Sequence, residues 1–336
     1  MKQLSFAAAI DDALAFAMKK DERVVVFGED VCTLRRNLFA QFGPSRVFNT
    51  PISESAFLGA AVTAAMGGLL PVVEIMLIDF IGVCMDGLLN QAAKIDFFTN
   101  GKWKVPLVIR ASCGGGYGDA GQHEQSLWGW LAHIPGLSVT VPSTPKDAGL
   151  LMYQSIFRNS PVIYLEHKLL SDYWLEYLGG SKRTSVHFNV PEKGIFGEVP
   201  ENWSQDNFGK ANIVKQGTDI TFISIGIGVH QCLEVAKELS HVGINAEVID
   251  LRYISPLDIS VIIKSVKKTE RCVVVDEDYR TFGLSGEITA VLKESNVNFT
   301  YRRVCTSTTI PYNRMLEDTT LPNFATILNK AKELCS

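Results

Sequence analysis

The sequence contains no apolar run that approaches the roughly 20 residues of a membrane-spanning helix, so it predicts no membrane segment. It has no surplus of positive charge either, since the formal net charge is −4 at pH 7. Binding to nucleic-acid phosphates needs a basic face, and this balance argues against such a partner. Asp11 and Asp12 stand where a signal or transit peptide carries no acid, so we expect a cytoplasmic protein.

Cysteine pairs, common nucleotide-binding motifs and clustered metal ligands are also missing. The seven cysteines are scattered without a CxxC pair and are expected to be reduced packing residues. No GK[ST] tripeptide closes a glycine-rich loop and no GxGxxG sequence opens a helix, which argues against a P-loop and a dinucleotide fingerprint. The six histidines have no cysteine or carboxylate at ligand spacing, so they predict no metal site.

Alternating strand and helix patterns predict an α/β fold with two domains in the 336 residues. The β-rich runs RVVVFGED, LLPVVEIML and VPLVIRAS are separated by helical stretches, which is typical of a parallel sheet covered on both faces. Between residues 81 and 98, apolar side chains recur at helical spacing and predict one helix with a buried side.

A change of pattern divides the chain. Glycine and proline interrupt residues 179–210, which we interpret as a linker or excursion between a first domain at 1–178 and a second at 211–336. Beyond it, four strands and three helices alternate and predict a smaller α/β domain.

Two short stretches carry candidate chemistry. In GGGYGDAGQHEQ, five glycines within eight residues precede His123, so this loop can cradle a phosphate, deliver the histidine into a pocket, or simply form a surface turn. In NTPISESAF, Glu54 stands at the start of a predicted helix. Taken alone, it is explained by Ser53 as a helix cap and by the favourable position of an acid in the first turn.

Several longer motifs, in the same order along nearly the whole chain, resemble those of one family. They are VFGEDV (26–31), FGPSRVFNTPISESAFLGAAVTAAMGG (42–68), VEIMLIDF (73–80), NQAAK (90–94), GQHEQSLWGWLAHIPGLSVTVPSTPKDAGLL (121–151), VIDLRYISPLD (248–258) and VDEDYRTFGLSGEI (275–288). The family is the beta subunit of the decarboxylating component of 2-oxoacid dehydrogenase complexes, a group that includes the pyruvate, branched-chain 2-oxoacid and acetoin enzymes.

The resemblance implies a transketolase-type pyrimidine-binding domain with a parallel sheet, followed by a smaller transketolase C-terminal α/β domain. It also implies thiamine diphosphate as cofactor. Glu54 then corresponds to the acid that shares a proton with the pyrimidine ring and activates the cofactor, and Ile52, Met76 and Phe80 surround that ring. His123 corresponds to the histidine that assists acyl transfer to lipoamide.

What the chain lacks within this family implies a partner. The Gly-Asp-Gly motif that holds the diphosphate through Mg²⁺ is missing, and oxygen ligands of that kind are what Mg²⁺ requires. The resemblance therefore implies an alpha subunit that carries most of the Mg²⁺ site, an alpha2beta2 heterotetramer, and a lipoyl-bearing acyltransferase.

Two departures from the family pattern stand out. Many relatives bind K⁺ through the backbone near Leu107, Ser155, Ile156 and Ser160, but Arg158 replaces the aspartate expected in that loop, which argues against a K⁺ site here. The family's His-Ser-Gln reads His-Glu-Gln in this chain, which places Glu124 beside His123.

The predicted function is oxidative decarboxylation of a 2-oxoacid, either pyruvate or a branched-chain acid, with transfer of the acyl group to lipoamide. One alternative is an acetoin dehydrogenase beta subunit, because PSTPKDA and YLEHKLL resemble that branch. Another is a noncatalytic partner-binding module of the same fold.

Overall fold

The structure is a computed structural model that describes residues 1–180 and 191–335, with the backbone alone for 177–180. Its strands are β1 (Lys2–Ser5), β2 (Val24–Gly28), β3 (Val47–Asn49), β4 (Leu70–Leu77), β5 (Val108–Cys113), β6 (Ser138–Thr140), β7 (Val162–His167), β8 (Phe196–Val199), β9 (Asn212–Lys215), β10 (Ile220–Ser224), β11 (Ala246–Asp250), β12 (Tyr253–Ser255), β13 (Arg271–Tyr279) and β14 (Thr300–Thr306). Its helices are α1 (Phe6–Lys20), α2 (Val31–Leu34), α3 (Arg36–Phe42), α4 (Glu54–Met66), α5 (Ile95–Phe98), α6 (Trp128–Ala132), α7 (Pro145–Ile156), α8 (Asp172–Gly180), α9 (Glu192–Ile195), α10 (Ile227–Ser240), α11 (Ile259–Thr269), α12 (Leu284–Glu294), α13 (Arg314–Thr320) and α14 (Phe324–Cys335).

The first sheet has the strand order β12-β6-β7-β5-β4-β2-β3. All neighbouring pairs are parallel except β12 with β6, so the predicted parallel sheet is confirmed. Every residue of β2, β5 and β7 is buried, as expected for strands covered by helices on both faces. Helices α1 and α7 pack together in one layer, and α4 packs on β4.

The second sheet has the order β14-β13-β10-β11-β9, with β9 antiparallel to β11 and the other pairs parallel. The four strands and three helices predicted for this part are present as β10, β11, β13, β14, α10, α11 and α12. Sequence reasoning missed β9 and α14. The edge strand β9 is short and half-exposed, so the sequence shows no buried apolar run there. For α14 the signal was present, because Ile327, Ala331 and Leu334 recur at helical spacing and are buried.

The single helix predicted for residues 81–98 is wrong in its geometry. The chain forms a 3₁₀ segment at Ile78–Cys84, a π-helix at Asp86–Ala92 and then α5. The predicted buried side is correct at Ile81, Leu88 and Ala92. An apolar stripe indicates which side of a helix is buried. Over only two turns it does not distinguish an α-helix, with i→i+4 hydrogen bonds, from a π-helix, with i→i+5 hydrogen bonds.

The described part of the expected linker is packed on the first half of the chain. Residues 181–190 lie outside the described residues, but β8 pairs antiparallel with β1. The buried Trp203 donates its indole N–H to Asp12 Oδ2 at 2.8 Å. Because these partners lie some 190 residues upstream, no local pattern could indicate them. The domain boundaries themselves stay a prediction.

A strand from the second half of the chain completes the first sheet. β12 follows β11 directly but pairs with β6, through Tyr253 opposite Thr140 and Ser255 opposite Val139. The Thr140 hydroxyl also donates to the carbonyl of Arg252 at 2.7 Å. The two α/β units are therefore joined through shared backbone pairing as well as by side chains.

Candidate active site

The candidate site lies where the parallel strands of the first sheet end. Glu29 follows β2, Asp79 follows β4, the glycine-rich loop at 114–121 follows β5, and Lys168 follows β7. In open α/β sheets, ligands bind outside the carboxyl ends of the strands. The fold therefore collects the polar residues of four separate sequence segments at one edge.

Glu54 is the first residue of α4 and is half-buried. The Ser53 side chain makes no capping hydrogen bond to this helix, so the expected serine cap is wrong. Glu29 is a second acid close to Glu54. Its burial and the nearby Glu54 carboxylate raise the pKa of Glu29 above its usual value. Two carboxyl groups are thus close enough to interact electrostatically.

Phe80 and His123 are brought into contact. Their ring centroids are 6.0 Å apart in an edge-on arrangement. The His123 Nδ1 atom is buried and has no hydrogen-bond partner among the described residues. Asp79, beside Phe80, accepts a hydrogen bond from Gln125 Nε2 at 2.7 Å, and Gln125 accepts one from the Tyr279 hydroxyl at 3.0 Å. Sequence reasoning missed this chain of bonds, which holds the segment that follows His123.

The glycine-rich loop binds carboxylates of the protein itself. Gly115 N–H donates to Glu277 Oε1 at 2.9 Å, and Gly118 N–H donates to Glu317 Oε2 at 3.0 Å. A phosphate cradle is therefore wrong for these amides, since they already have anionic acceptors. A surface turn is wrong as well, because Tyr117 is buried. Delivery of His123 is the alternative that agrees with the structure.

Met76 lines a cavity of about 320 Å³ together with Glu29, Tyr173 and Trp174. Ile52, by contrast, is 75% exposed and is not packed with Met76 and Phe80. The structure thus places Met76 at this cavity and Phe80 against His123, and it does not bring the three expected residues into one contact. The buried His123 Nδ1, which has no partner among the described residues, fits a bound group that this chain does not itself supply.

Beneath the cavity lies an alternating row of buried charges that sequence reasoning missed. Arg35 binds Asp11 (3.3 Å) and Glu74 (2.9 Å), and Arg110 binds Glu74 (3.3 Å) and Glu166. Burial would raise the pKa of Glu74, but the two guanidinium groups hold it below its usual value. The signal was present in the sequence, because Glu74 and Arg110 interrupt otherwise apolar strand runs and face each other across β4 and β5.

The segment expected to bind K⁺ has its carbonyl groups partly engaged. The Leu107 carbonyl accepts the N–H of Val162 at 2.9 Å, and the Ser155 carbonyl accepts the N–H of Arg158 at 3.2 Å. The Arg158 guanidinium carbon lies 4.1 Å from the ring centroid of Phe208. The Ile156 residue is buried and Ser160 is half-buried. K⁺ binding stays a prediction.

Two features bear on the classes of protein considered at the start. Within residues 1–180 and 191–335, no group of three or more His, Cys, Asp or Glu side chains is placed to hold a metal ion. No helix in that same part of the chain combines the length and apolarity needed to span a bilayer.

Comparison with known proteins covers almost the whole chain. The transketolase pyrimidine-binding domain matches residues 2–172, and the transketolase C-terminal domain matches residues 209–327. The beta subunit of acetoin:2,6-dichlorophenolindophenol oxidoreductase from Cupriavidus necator is 38% identical over 352 residues, covering 99% of this chain and 97% of that protein. The pyruvate dehydrogenase E1 component subunit beta from Staphylococcus epidermidis is 38% identical over 341 residues, covering 99% and 98%.

The fold also occurs in a solved structure. A split-gene transketolase, described as an inactive beta4 tetramer, superposes with a TM-score of 0.77 at 20% identity and covers 99% of this chain and 98% of its own. At that identity the likeness concerns the fold alone. The transketolase-type α/β fold expected from the sequence is confirmed.

Proposed function

Because this chain belongs to the transketolase-like family that contains the beta subunits of pyruvate dehydrogenase E1 and of acetoin oxidoreductase, we propose that it is the beta subunit of a thiamine-diphosphate-dependent 2-oxoacid dehydrogenase. The enzyme decarboxylates a 2-oxoacid, pyruvate or a branched-chain acid, and passes the acyl group to lipoamide on an acyltransferase. The observation that carries the proposal is the contact of Phe80 with His123 at the strand edge where Glu54 also opens its helix.

The residues of this chain have separate tasks in that reaction. When bound, thiamine diphosphate supplies the carbon nucleophile that attacks the substrate carbonyl. Glu54 would share a proton with the pyrimidine ring of the bound cofactor, and Met76 and Phe80 would line that ring. His123 holds or releases a proton on its imidazole during acyl transfer, and its Nδ1 is not engaged by any described protein group. Proton positioning of this kind contributes about 10²–10⁴ in rate.

An alpha subunit completes the site in this proposal. Ile52 and Val83 are 75% and 61% exposed, and the Ser55 hydroxyl donates to the Val83 carbonyl, which leaves an apolar surface beside Glu54 for a second chain to cover. The sequence has no diphosphate motif, so the alpha subunit holds most of the Mg²⁺ site in an alpha2beta2 heterotetramer. The loop that relatives use for K⁺ carries the positive charge of Arg158 in this chain, so we propose no role for K⁺ in the reaction.

Acetoin is the second candidate substrate. Beta subunits of the acetoin enzyme from Cupriavidus necator and Bacillus subtilis are 38% and 36% identical to this chain, as similar as the pyruvate dehydrogenase relatives. Substrate choice depends in part on the alpha chain, so identity of the beta chain alone does not separate the two.

The test is to co-purify the chain with its alpha subunit and assay pyruvate, branched-chain 2-oxoacids and acetoin with thiamine diphosphate and Mg²⁺. We expect turnover of one class, and a loss of at least about 100-fold in Glu54→Gln with little change in melting temperature. Glu287→Gln, an exposed site on the second sheet's α12, serves as the control. If the complex forms but turns over none of the three classes, the chain is a noncatalytic module and the proposal fails.

A further inference from the structure

A buried pair of carboxyl groups holds the glycine-rich loop in front of His123. Glu124, where the family resemblance leads us to expect serine, is fully buried. Its Oε1 accepts the N–H groups of Tyr117 (3.2 Å) and Asp119 (2.9 Å). Its Oε2 is buried and has no donor among the described residues. An ionised oxygen in that position carries a large desolvation cost, so Oε2 is where a proton is expected.

The second carboxyl group comes from α13. Glu317 is fully buried and accepts the N–H groups of Gly116 and Gly118, the latter at 3.0 Å, and Arg314 Nη1 at 3.2 Å. Both of its oxygens therefore have donors. The amides that it binds belong to the same four-residue stretch of the loop as the amides of Tyr117 and Asp119 that Glu124 binds, so the two buried carboxyl groups are neighbours on one short segment. Because two neighbouring buried carboxylates cannot both ionise, Glu124 is the partner that keeps the proton.

The charges around the pair support this assignment. The groups that face Glu124 are Tyr117 and Asp119 from the loop, Lys168 from the turn after β7 and Glu317 from α13. Arg314 binds Glu317 on α13, and Asp79 and Glu277 face Lys168 in turn. Burial and the neighbouring Glu317 raise the pKa of Glu124 to about 9, against the opposing effect of Lys168. Burial also lowers the pKa of Lys168. The proton on Glu124 is thus retained at neutral pH.

The backbone of His123 is fixed by the same cluster. Its carbonyl accepts hydrogen bonds from the Tyr117 hydroxyl at 2.7 Å and from Lys168 Nζ, and its N–H donates to the Ala120 carbonyl at 3.0 Å. The next residue in the chain is Glu124. Glu124 binds the amide of Tyr117, and the Tyr117 hydroxyl binds the His123 carbonyl, so the two neighbouring residues share one set of contacts.

We propose that Glu124 is a positioning residue for His123, which donates a proton from its buried carboxyl group to Glu317 and so locks the loop at 114–121. The inference rests on the proposed function, because it takes His123 as the group that assists acyl transfer. When the proton is lost, two adjacent buried carboxylates repel each other and the loop is released. The rate of acyl transfer therefore depends on the proton of the Glu124 carboxyl group, although this proton is not transferred to the substrate.

The experiment uses the assembled enzyme with its alpha subunit and the variants Glu124→Gln and Glu124→Ala. Glutamine keeps the acceptor at Oε1 and donates from its amide to Glu317, but it has no ionisable proton. Alanine removes both contacts. Glu294→Gln, exposed at the end of α12, is the matched control. Two quantities are measured between about pH 7 and about pH 10: amide hydrogen exchange in peptides that cover 114–121, corrected for the intrinsic rate, and kcat and KM for transfer to lipoamide.

In the wild type we expect loop protection and transfer kcat to fall together by about tenfold or more as the pH passes about 9, with little change in KM for the 2-oxoacid. Glutamine should remove that fall, and alanine should lower transfer kcat by about 10–100-fold already at pH 7. A wild-type loop whose protection does not change with pH, or a glutamine variant that follows the wild-type profile, overturns the shared proton. Loop release without a change in transfer overturns the positioning of His123. Failure of the proposed function appears differently, as an absence of turnover while loop exchange still reports on the carboxyl pair.

Discussion

At the scale of single residues, the site depends on side chains whose partners come from distant parts of the sequence. His123 touches Phe80 from another loop, and its carbonyl is held by Lys168. Glu54, in contrast, begins α4 without help from a serine cap. The chemistry of each residue follows from which groups it meets at the strand edge and only weakly from its neighbours in sequence.

Replacing His123 by alanine should separate the two halves of the proposed reaction. We expect transfer to lipoamide to fall by about 10²–10³-fold, because the imidazole no longer handles the proton in that step. Decarboxylation coupled to an artificial electron acceptor should fall by less than about tenfold. Both rates are measured on the assembled enzyme, with His133→Ala, an exposed histidine at the end of α6, as control. Equal losses in the two assays would contradict a role confined to acyl transfer.

Asp11 should give the wild type a distinct dependence of stability on pH. Burial raises its pKa to about 6, against the opposing pull of Arg35, while the unfolded value is near 3.8. The folded protein binds this proton more tightly, so the stabilisation is complete below about pH 4 and is lost as the pH rises through about 6.

In Asp11→Asn that dependence disappears. The free energy of unfolding of the wild type relative to the variant should therefore decrease by about 2–3 kcal/mol between pH 4 and pH 7. Urea denaturation at both pH values measures it. A difference that stays constant, or grows with pH, would show that Asp11 is ionised in the folded protein at both.

The sequence predicted some of these residues and not others. Glu54 and His123 stand in motifs that resemble a family, and the glycines before His123 already suggested a loop that delivers a side chain. The partnership of Glu124 with Glu317 was beyond reach, because α13 lies some 190 residues downstream and nothing local indicates that it returns to this loop. The buried row of charges through Glu74 and Arg110 could have been predicted, because a charged residue within an apolar strand run needs a partner. The two runs were interpreted only as strands.

At the scale of elements, one glycine positions the segment that follows residue 190. A Cβ atom on Gly149 in α7 would lie 2.2 Å from the Trp203 ring, so helix and indole are in direct contact. The same indole donates to Asp12 of α1. The segment around β8 is thus held against two helices at once.

The variant Gly149→Val should expel Trp203 from this contact. We expect a loss of about 1–3 kcal/mol in the free energy of unfolding, since overpacking forces the surrounding groups apart. Cleavage by a protease within 191–210 should become faster, and tryptophan fluorescence should shift toward that of an exposed indole. Gly286→Val, where an added Cβ meets open space, is the control. Unchanged proteolysis would mean that the segment is held mainly by the pairing of β8 with β1.

Elements with a strong local pattern were predicted well, and those defined by tertiary pairing were not. The runs that became β2, β4 and β5 are mainly apolar, because both faces are covered, and only a few polar residues such as Glu74 and Arg110 interrupt them. β8 and β12 are short, and each is a strand only because a distant partner supplies hydrogen bonds. The π-helix at Asp86–Ala92 has an α-like apolar stripe, so periodicity predicted helix without its type.

At the scale of the whole molecule, acids on β13 join the two α/β units. Trp128 donates its indole N–H to Asp276 at 2.9 Å, and Gly129 N–H donates to Asp278 at 2.8 Å. Glu277 accepts from Gly115 at 2.9 Å and lies 3.1 Å from His167 Nε2. Three successive residues of one strand thus hold the start of α6 and the glycine-rich loop of the other unit.

Glu277→Gln should weaken the contact between the units. Burial would raise the pKa of Glu277, but His167 and several donors hold it below its usual value, so its stabilisation is present above the unfolded pKa and is lost on acidification. We expect a loss of about 2–4 kcal/mol at pH 7, and a smaller loss near pH 4, because below its unfolded pKa the carboxyl group of the unfolded wild type takes up a proton and the stabilisation declines.

Calorimetry at the two pH values measures this loss, and a thermal transition that splits in two would indicate that the units have become independent. Glu287→Gln, exposed on α12, controls for the change of charge. A loss of the same size at pH 4 and pH 7 would contradict an ionised Glu277 in the folded protein.

The pairing of β12 with β6 has a consequence for synthesis on the ribosome. Until residue 255 has left the exit tunnel, β6 is an edge strand with unpaired amide and carbonyl groups. Such an edge can pair with a strand of another nascent chain. A fragment that ends before β12 would carry that edge permanently. β12, the last strand of the first sheet to be synthesised, therefore protects β6 from pairing with other chains. We expect fragments that end before β12 to aggregate, even though most of the core of the first sheet is complete in them.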